Sequence, residues 1–161
     1  MSEEFEIAIV GSGPSGLSAA ARAAQKEISH ILLETADHAS DTIYKFQKRK
    51  FVMATPDVMP LRSDTSFAAG TREEILEKWD EEIEHQKVNI SYNSEVTGIS
   101  GEKGNFTLEV KGGRTIKANH VVLSIGMQGN LRKLDVDGDD WEYVQYQLDD
   151  PEEYEDETIM V

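Results

Sequence analysis

Six consecutive residues, Gly11-Ser-Gly-Pro-Ser-Gly16, have the types and spacing to bind a diphosphate. Each glycine has a separate physical task. Gly11 permits a tight turn, Gly13 removes a side chain where a pyrophosphate would approach the backbone, and Gly16, with Ala20 four residues on, lets a helix lie close to a sheet. Pro14 stands at the first turn of that helix, where its missing N–H costs nothing. The unpaired N–H groups there, together with the positive end of the helix dipole, suit an anion. Gly11, Ser12, Gly13, Pro14, Ser15 and Gly16 are therefore candidate pyrophosphate contacts. Glu34 follows 18 residues after Gly16. A carboxylate at that position can accept both ribose hydroxyls of an adenosine and would repel a 2′-phosphate. Thr35 adjoins it as a further candidate contact.

These residues work only if the right elements hold them. Phe5–Val10 is a short apolar run ending in glycine, which reads as a buried parallel strand. Leu17, Ala20, Ala21, Ala24 and Ile28 then fall on one helical face, and residues 30–34 form a second apolar strand. Strand, helix and strand make one βαβ unit, right-handed by default. Thr71, with Glu74 in the capping-box position, starts a helix running to about Gln86, with Ile75, Leu76, Trp79 and Ile83 as its apolar face. Residues 88–90 read as another short strand. Between Ser94 and Lys117 the pattern alternates, with glycine turns at Gly101/Gly104 and Gly112–Gly113, which predicts a three-stranded antiparallel meander. Residues 120–125 return to a continuous apolar run ending in glycine, read as a second buried parallel strand. Residues 35–66 show no clear pattern beyond a short extended piece at 51–54.

Composition excludes several classes of function. With 161 residues, 39% hydrophobic and 29% charged, the chain is long enough for one domain with a real core. It has no cysteine, so no disulfide, thiolate metal site or cysteine nucleophile arises within it. His30, His38, His85 and His120 lack metal-ligand spacing, so no metal is expected. No group reads as a general base or nucleophile, so no catalytic residue is assigned. The net charge of −15 is local: residues 135–157 hold 12 acids and no Lys or Arg, leaving 19 acids against 16 bases elsewhere. Neither nucleic acid nor an anionic membrane surface is an expected partner. The acidic amino terminus and the lack of a long apolar run point to a cytoplasmic location.

The glycine turn and Glu34 alone suit FAD or NAD, since both contain ADP. An NAD domain would continue with further βαβ units, whereas this chain inserts a meander and returns through Ser124-Ile-Gly126. In this combination it resembles the FAD-dependent pyridine nucleotide–disulfide oxidoreductases, and most closely their thioredoxin-reductase-like branch. The matching pieces are residues 11–16, Glu34, the strand around Glu95–Val96, and Ser124, Ile125 and Gly126. The resemblance implies an α/β, Rossmann-like FAD-binding three-layer fold (parallel sheet, helices, antiparallel three-stranded meander), incomplete in these 161 residues. It implies Val96 at adenine, Ser124, Ile125 and Gly126 on the flavin side, and contacts beneath the flavin from Thr42 and Thr55. It further implies that residues 1–126 are the first part of the FAD domain, residues 127–157 an acidic linker, and residues 158–161 the first strand of an NAD(P)H domain that continues elsewhere.

The expected function is thus the FAD-binding segment of an NAD(P)H oxidoreductase, passing hydride from NAD(P)H via FAD to an acceptor in the full-length enzyme and inactive as this piece alone. A stand-alone, non-catalytic module binding FAD, NAD or ADP is the other reading. The family's later Gly-Asp motif is absent here, so flavin binding by this piece alone should be weak or absent. An open sheet face could also pair two copies, making a homodimer a possible assembly. The basic run Lys45, Lys48, Arg49 and Lys50 could face phosphate, although neutralising a nearby acidic surface is its simpler role. Trp79 and Trp141 read as packing residues.

Overall fold

A computed structural model of the chain describes residues 3–46, 48–54, 63–127, 132–146 and 150–160. Strand β1 (Glu3–Val10) leads through the glycine turn into helix α1 (Pro14–Gln25), which returns to strand β2 (His30–Leu33). A short helix α2 (Asp41–Tyr44) and a two-stranded ribbon, β3 (Phe51–Val52) with β4 (Gly70–Thr71), precede helix α3 (Arg72–His85). Strand β5 (Ile90–Ser91) then joins the main sheet, and strands β6 (Val96–Glu102), β7 (Asn105–Val110) and β8 (Arg114–Leu123) follow as a meander. The six-stranded sheet runs β5-β2-β1-β8-β7-β6, with β5, β2, β1 and β8 mutually parallel and β8, β7 and β6 antiparallel.

The continuous apolar runs of β1 and β2 arise because both faces of the parallel sheet are covered. Ile9 and Leu32 point to one face, where they meet Leu17, Ala20 and Ala21 of α1 and Ile75 and Trp79 of α3. Ala8, Ile31 and Leu33 point to the other, where Leu108, Val110, Ile116 and Ala118 of the meander close over them. Helices, parallel sheet and meander are the three layers. Burying a side chain such as Leu32, which is fully enclosed, stabilises the fold by about 2 kcal/mol.

Both long helices stop in the same way. Glu27 and Lys87 adopt left-handed backbone (φ 54° and 55°) after α1 and α3. The next amides, of Ile28 and Val88, donate to Ala23 and Ile83 carbonyls at 2.9 and 3.0 Å, which is the Schellman arrangement without its usual glycine. At the other end of α3 the capping box is complete: Thr71 accepts from the Glu74 amide, and Glu74 accepts from the Thr71 amide. Ile75 and Trp79 are buried, with Leu76 and Ile83 packed beside them, as the helical spacing predicts.

Two readings of the sequence need correction. The third meander strand and the parallel strand expected at 120–125 are one element, β8, of ten residues, which ends at Leu123 with Val122 and Leu123 exposed and not buried. Its first half pairs with β7 on one side and β1 on the other; from His120 onward only the β1 side is paired among the described residues. The change from alternating to continuous apolar sequence falls where pairing with β7 stops, and the strand itself does not break. The strand expected at 88–90 lies at Ile90–Ser91, since Val88 completes the helix terminus and turns its side chain into the core. Thr158, Ile159 and Met160 belong to neither sheet. Among the described residues, no helix is long and apolar enough to cross a membrane.

Candidate nucleotide-binding site

The glycine turn leaves β1 at the carboxyl edge of the parallel strands. Gly11 turns at φ +95°, with its amide donating to the Leu33 carbonyl at 2.9 Å. A Cβ at Gly11 would lie 2.6 Å from the Ser124 carbonyl oxygen, and one at Gly16 only 1.9 Å from the Gly11 carbonyl oxygen. Packing within the chain therefore requires both glycines. Gly13 differs: its backbone is extended (φ −66°, ψ −179°), and a Cβ there would meet nothing within 4 Å among the described residues.

Gly13 is the N-cap of α1, and no side chain caps this helix end. Pro14 brings no N–H, no acid lies in the first turn, and the amides of Gly13, Ser15 and Gly16 donate to no group among the described residues. Such a set of outward N–H groups at a positive dipole end is an anion site in waiting.

Glu34, expected as an open ribose acceptor, is 8% exposed and already engaged. Its Oε2 accepts from the Ser12 amide at 2.9 Å and from the Ser12 hydroxyl, and its Oε1 accepts from the Ala36 amide at 2.9 Å. Ser12 is fully buried, so its side chain belongs to this cluster and not to the open anion site. The cluster continues to Ser40, whose amide donates to Ser12 Oγ at 3.1 Å and whose hydroxyl donates to the Ser12 carbonyl at 3.2 Å. The backbone of Glu34 is fixed as well: its carbonyl accepts from the Ser94 amide at 2.7 Å, and Asn93 donates to the Ala36 carbonyl at 2.9 Å. These bonds bring the start of β6, with Glu95 and Val96, beside the acid. Tyr92 lies near enough for burial first, then the Asp80 and Glu34 charges, to hold its phenol above the usual value.

Ser124 secures the turn from the β8 side. Its hydroxyl reaches the Val10 and Gly11 carbonyls at 3.0 and 3.1 Å, and its amide donates to Val10 at 2.9 Å. Its side chain thus faces the glycine turn, while Ile125 and Gly126 beyond it are exposed. Val96 is half-buried against the meander layer, Thr35 is exposed beside Glu34, and Thr42 is exposed on α2. Thr55 lies outside the described residues. The structure therefore gathers residues 11–16, Glu34, Ser124 and the Val96 strand about one strand edge.

Ser40 and Ser94 were missed by sequence reasoning. Neither sits in a periodic segment, and the single local signal for Ser40, a serine directly before a helix, suggests a cap that its hydroxyl does not make. The basic cluster turns toward acids: Lys48 pairs with Asp150, Arg49 with Glu152 at 3.0 Å and Lys45 with Asp41 at 2.7 Å, while Lys50 lies over the Phe46 ring. Trp79 packs edge-on against Phe67 in the core, whereas Trp141 is largely exposed. Among the described residues no group of His, Asp and Glu could hold a metal ion.

The family described as pyridine nucleotide-disulphide oxidoreductase matches residues 8–161. The ferredoxin–NADP reductase of Picrophilus torridus is 28% identical over 99% of this chain and 46% of its own length. A thioredoxin reductase of Peptoclostridium litorale is 24% identical over 81% of this chain and 37% of its own. Among solved structures, the bacillithiol disulfide reductase of Staphylococcus aureus superposes with a TM-score of 0.79 at 21% identity, over 94% of this chain and 47% of that one. The chain thus spans about half the length, or less, of the relatives it matches.

Proposed function

This chain belongs to the pyridine nucleotide-disulphide oxidoreductase family, and on that premise we propose that it forms the ADP-binding part of an FAD site. The observation that carries this reading is Gly13. Gly11 and Gly16 are explained by contacts inside the protein, but nothing among the described residues fills the space where a Gly13 side chain would go. A ligand that must touch the backbone there accounts for the glycine, and the three undonated amides define that ligand as an anion.

The residues present fit a flavin dinucleotide. The amides of Gly13, Ser15 and Gly16 would hold the diphosphate, Glu34 the adenosine ribose, and the strand at Val96 the adenine edge. Ser124 acts indirectly, bonding two carbonyls and so keeping the turn in the shape that aims those amides outward. The buried Glu34 carboxylate also repels a phosphate on the 2′ oxygen, which favours FAD over an NADP-type ligand at this site. When bound, the flavin supplies the redox chemistry of the longer protein, taking hydride from NAD(P)H and passing electrons to an acceptor. Ile125 and Gly126, exposed beyond Ser124, are where the flavin side of the site begins.

The test is equilibrium titration of the chain with ADP and with FAD, in the native sequence and in Glu34→Ala. ADP should bind the native chain, and the variant should lose at least tenfold in affinity, the usual scale for a hydrogen bond to a charged group. Absence of binding by either ligand to the native chain would overturn the assignment.

A further inference from the structure

The bonds around Glu34 limit what that carboxylate can accept. An ionised carboxylate offers about four lone-pair sites, two on each oxygen. Ser12 fills both on Oε2, one through its amide and one through its hydroxyl, while the Ala36 amide fills one on Oε1. A single acceptor site is left.

The Ser12 hydroxyl is not at liberty to turn away. Its oxygen accepts the Ser40 amide, and the Ser40 hydroxyl grips the Ser12 carbonyl. Ser40 makes both bonds from a left-handed backbone (φ 59°), which costs a non-glycine residue energy and is held in place by its buried surroundings. Ser12 and Ser40 are 0% and 2% exposed, so no water competes for these groups. Rotating the Ser12 hydroxyl off Glu34 would break its bond to Oε2 and displace the acceptor of a buried amide.

We propose that Ser12, locked by Ser40, restricts Glu34 to one ribose hydroxyl, accepted at Oε1, and so acts as a specificity-determining positioning residue of the adenosine pocket. This rests on the reading of Glu34 as the ribose acceptor. Under it, the site distinguishes the two ribose hydroxyls instead of clamping them together. Ser40 belongs to the same device, although it lies 28 residues from Ser12.

ADP, 2′-deoxy-ADP and 3′-deoxy-ADP, titrated against the full chain by calorimetry, test this directly. One deoxy nucleotide should bind about tenfold or more weakly than ADP, and the other within about twofold of it. In Ser12→Ala a lone pair of Oε2 is released, so the analogue that was tolerated should become discriminated against as well. A general loss of structure would not produce that analogue-specific change, and the comparison in the native chain stands even if the variant fails to fold. ADP binding with similar losses for both deoxy nucleotides in the native chain would overturn the single-acceptor assignment alone. Absence of ADP binding would overturn the FAD reading and this assignment together.

Discussion

The Gly16 backbone approaches the Gly11 carbonyl so closely that a Cβ on Gly16 would stand 1.9 Å from that oxygen, and 2.9 Å from Ser124 Oγ. The start of α1 is therefore welded to the end of β1, with no room to adjust between two stretches of backbone. Three residues earlier, a Cβ on Gly13 would meet nothing within 4 Å among the described residues. One motif thus holds glycines of two kinds, those that internal packing requires and one that it does not, and mutation should separate them.

Gly16→Ala should destabilise the chain by about 3 kcal/mol or prevent folding, since the clash is with backbone and cannot be relieved by a rotamer change. Gly13→Ala should cost only about 0.5 kcal/mol, because its backbone is extended and alanine is merely a poorer N-cap. The same Gly13→Ala variant should nevertheless lose ADP binding by tenfold or more. Urea denaturation and ligand titration of both variants provide the check; equal destabilisation would remove the distinction.

Ser124→Ala removes a hydroxyl that serves two carbonyls, while the Ser124 amide keeps its bond to Val10. The expected loss is about 1–2 kcal/mol in denaturant unfolding. Because the Gly11 carbonyl is the group released, the turn should loosen, and ADP affinity should fall alongside stability. A variant as stable as the native chain but unable to bind ADP would instead indicate direct contact between the Ser124 side chain and ligand.

From His120 to Leu123 the outer edge of β8 has no partner strand among the described residues, and Leu123, Ile125 and Met127 are 62%, 68% and 97% exposed. Apolar strand edges of this kind recruit other strands. Sedimentation velocity over a range of concentrations should show self-association of the native chain, and Leu123→Lys should suppress it by placing a charge on the edge. Monomeric behaviour of the native chain at every concentration would contradict this expectation.

The parts of the site legible in the sequence are those fixed by local spacing. The three glycines, Pro14 and the acid ending the next strand follow from what a strand-to-helix turn needs, and all lie on one βαβ unit. Ser40 was illegible because its role comes from a contact across 28 residues, made by a left-handed backbone that serine rarely adopts. The unity of β8 was illegible for another reason. Alternation in residues 114–118 and the apolar run after it read as two strands, but pairing with β1 runs through both while pairing with β7 stops at Ala118. The engagement of Glu34 by Ser12 likewise concerns side-chain rotors, on which spacing is silent.

The acidic tail offers a test that sequence charge alone could not frame. Lys48 and Asp150 are 102 residues apart yet paired, and Arg49 reaches Glu152 beside them, so the tail is clasped to the loop that follows α2. The Lys48 hydrogen bond, then the Glu152 amide, hold Asp150 below its ordinary 3.8, while the Asp150 contact holds Lys48 above 10.5. A depressed carboxylate contributes fully above its unfolded value and ceases to contribute as pH falls through the folded one. A raised amine contributes fully below its unfolded value and ceases as pH rises through the folded one. The clasp should therefore be closed throughout the neutral range, opening in acid below about pH 4 and again only in strong alkali. The Glu152 amide, which donates to Asp150 Oδ1 at 3.1 Å, reports it directly. Its NMR signal should shift on acidification, with a midpoint below that of an unpaired aspartate, and Lys48→Ala should move that midpoint up. High salt should move the midpoint in the same direction but less far, since Lys48 is exposed to screening while the Asp150 side chain is largely buried. An identical midpoint in the variant would mean that the loop and the tail are held together by something other than this pair.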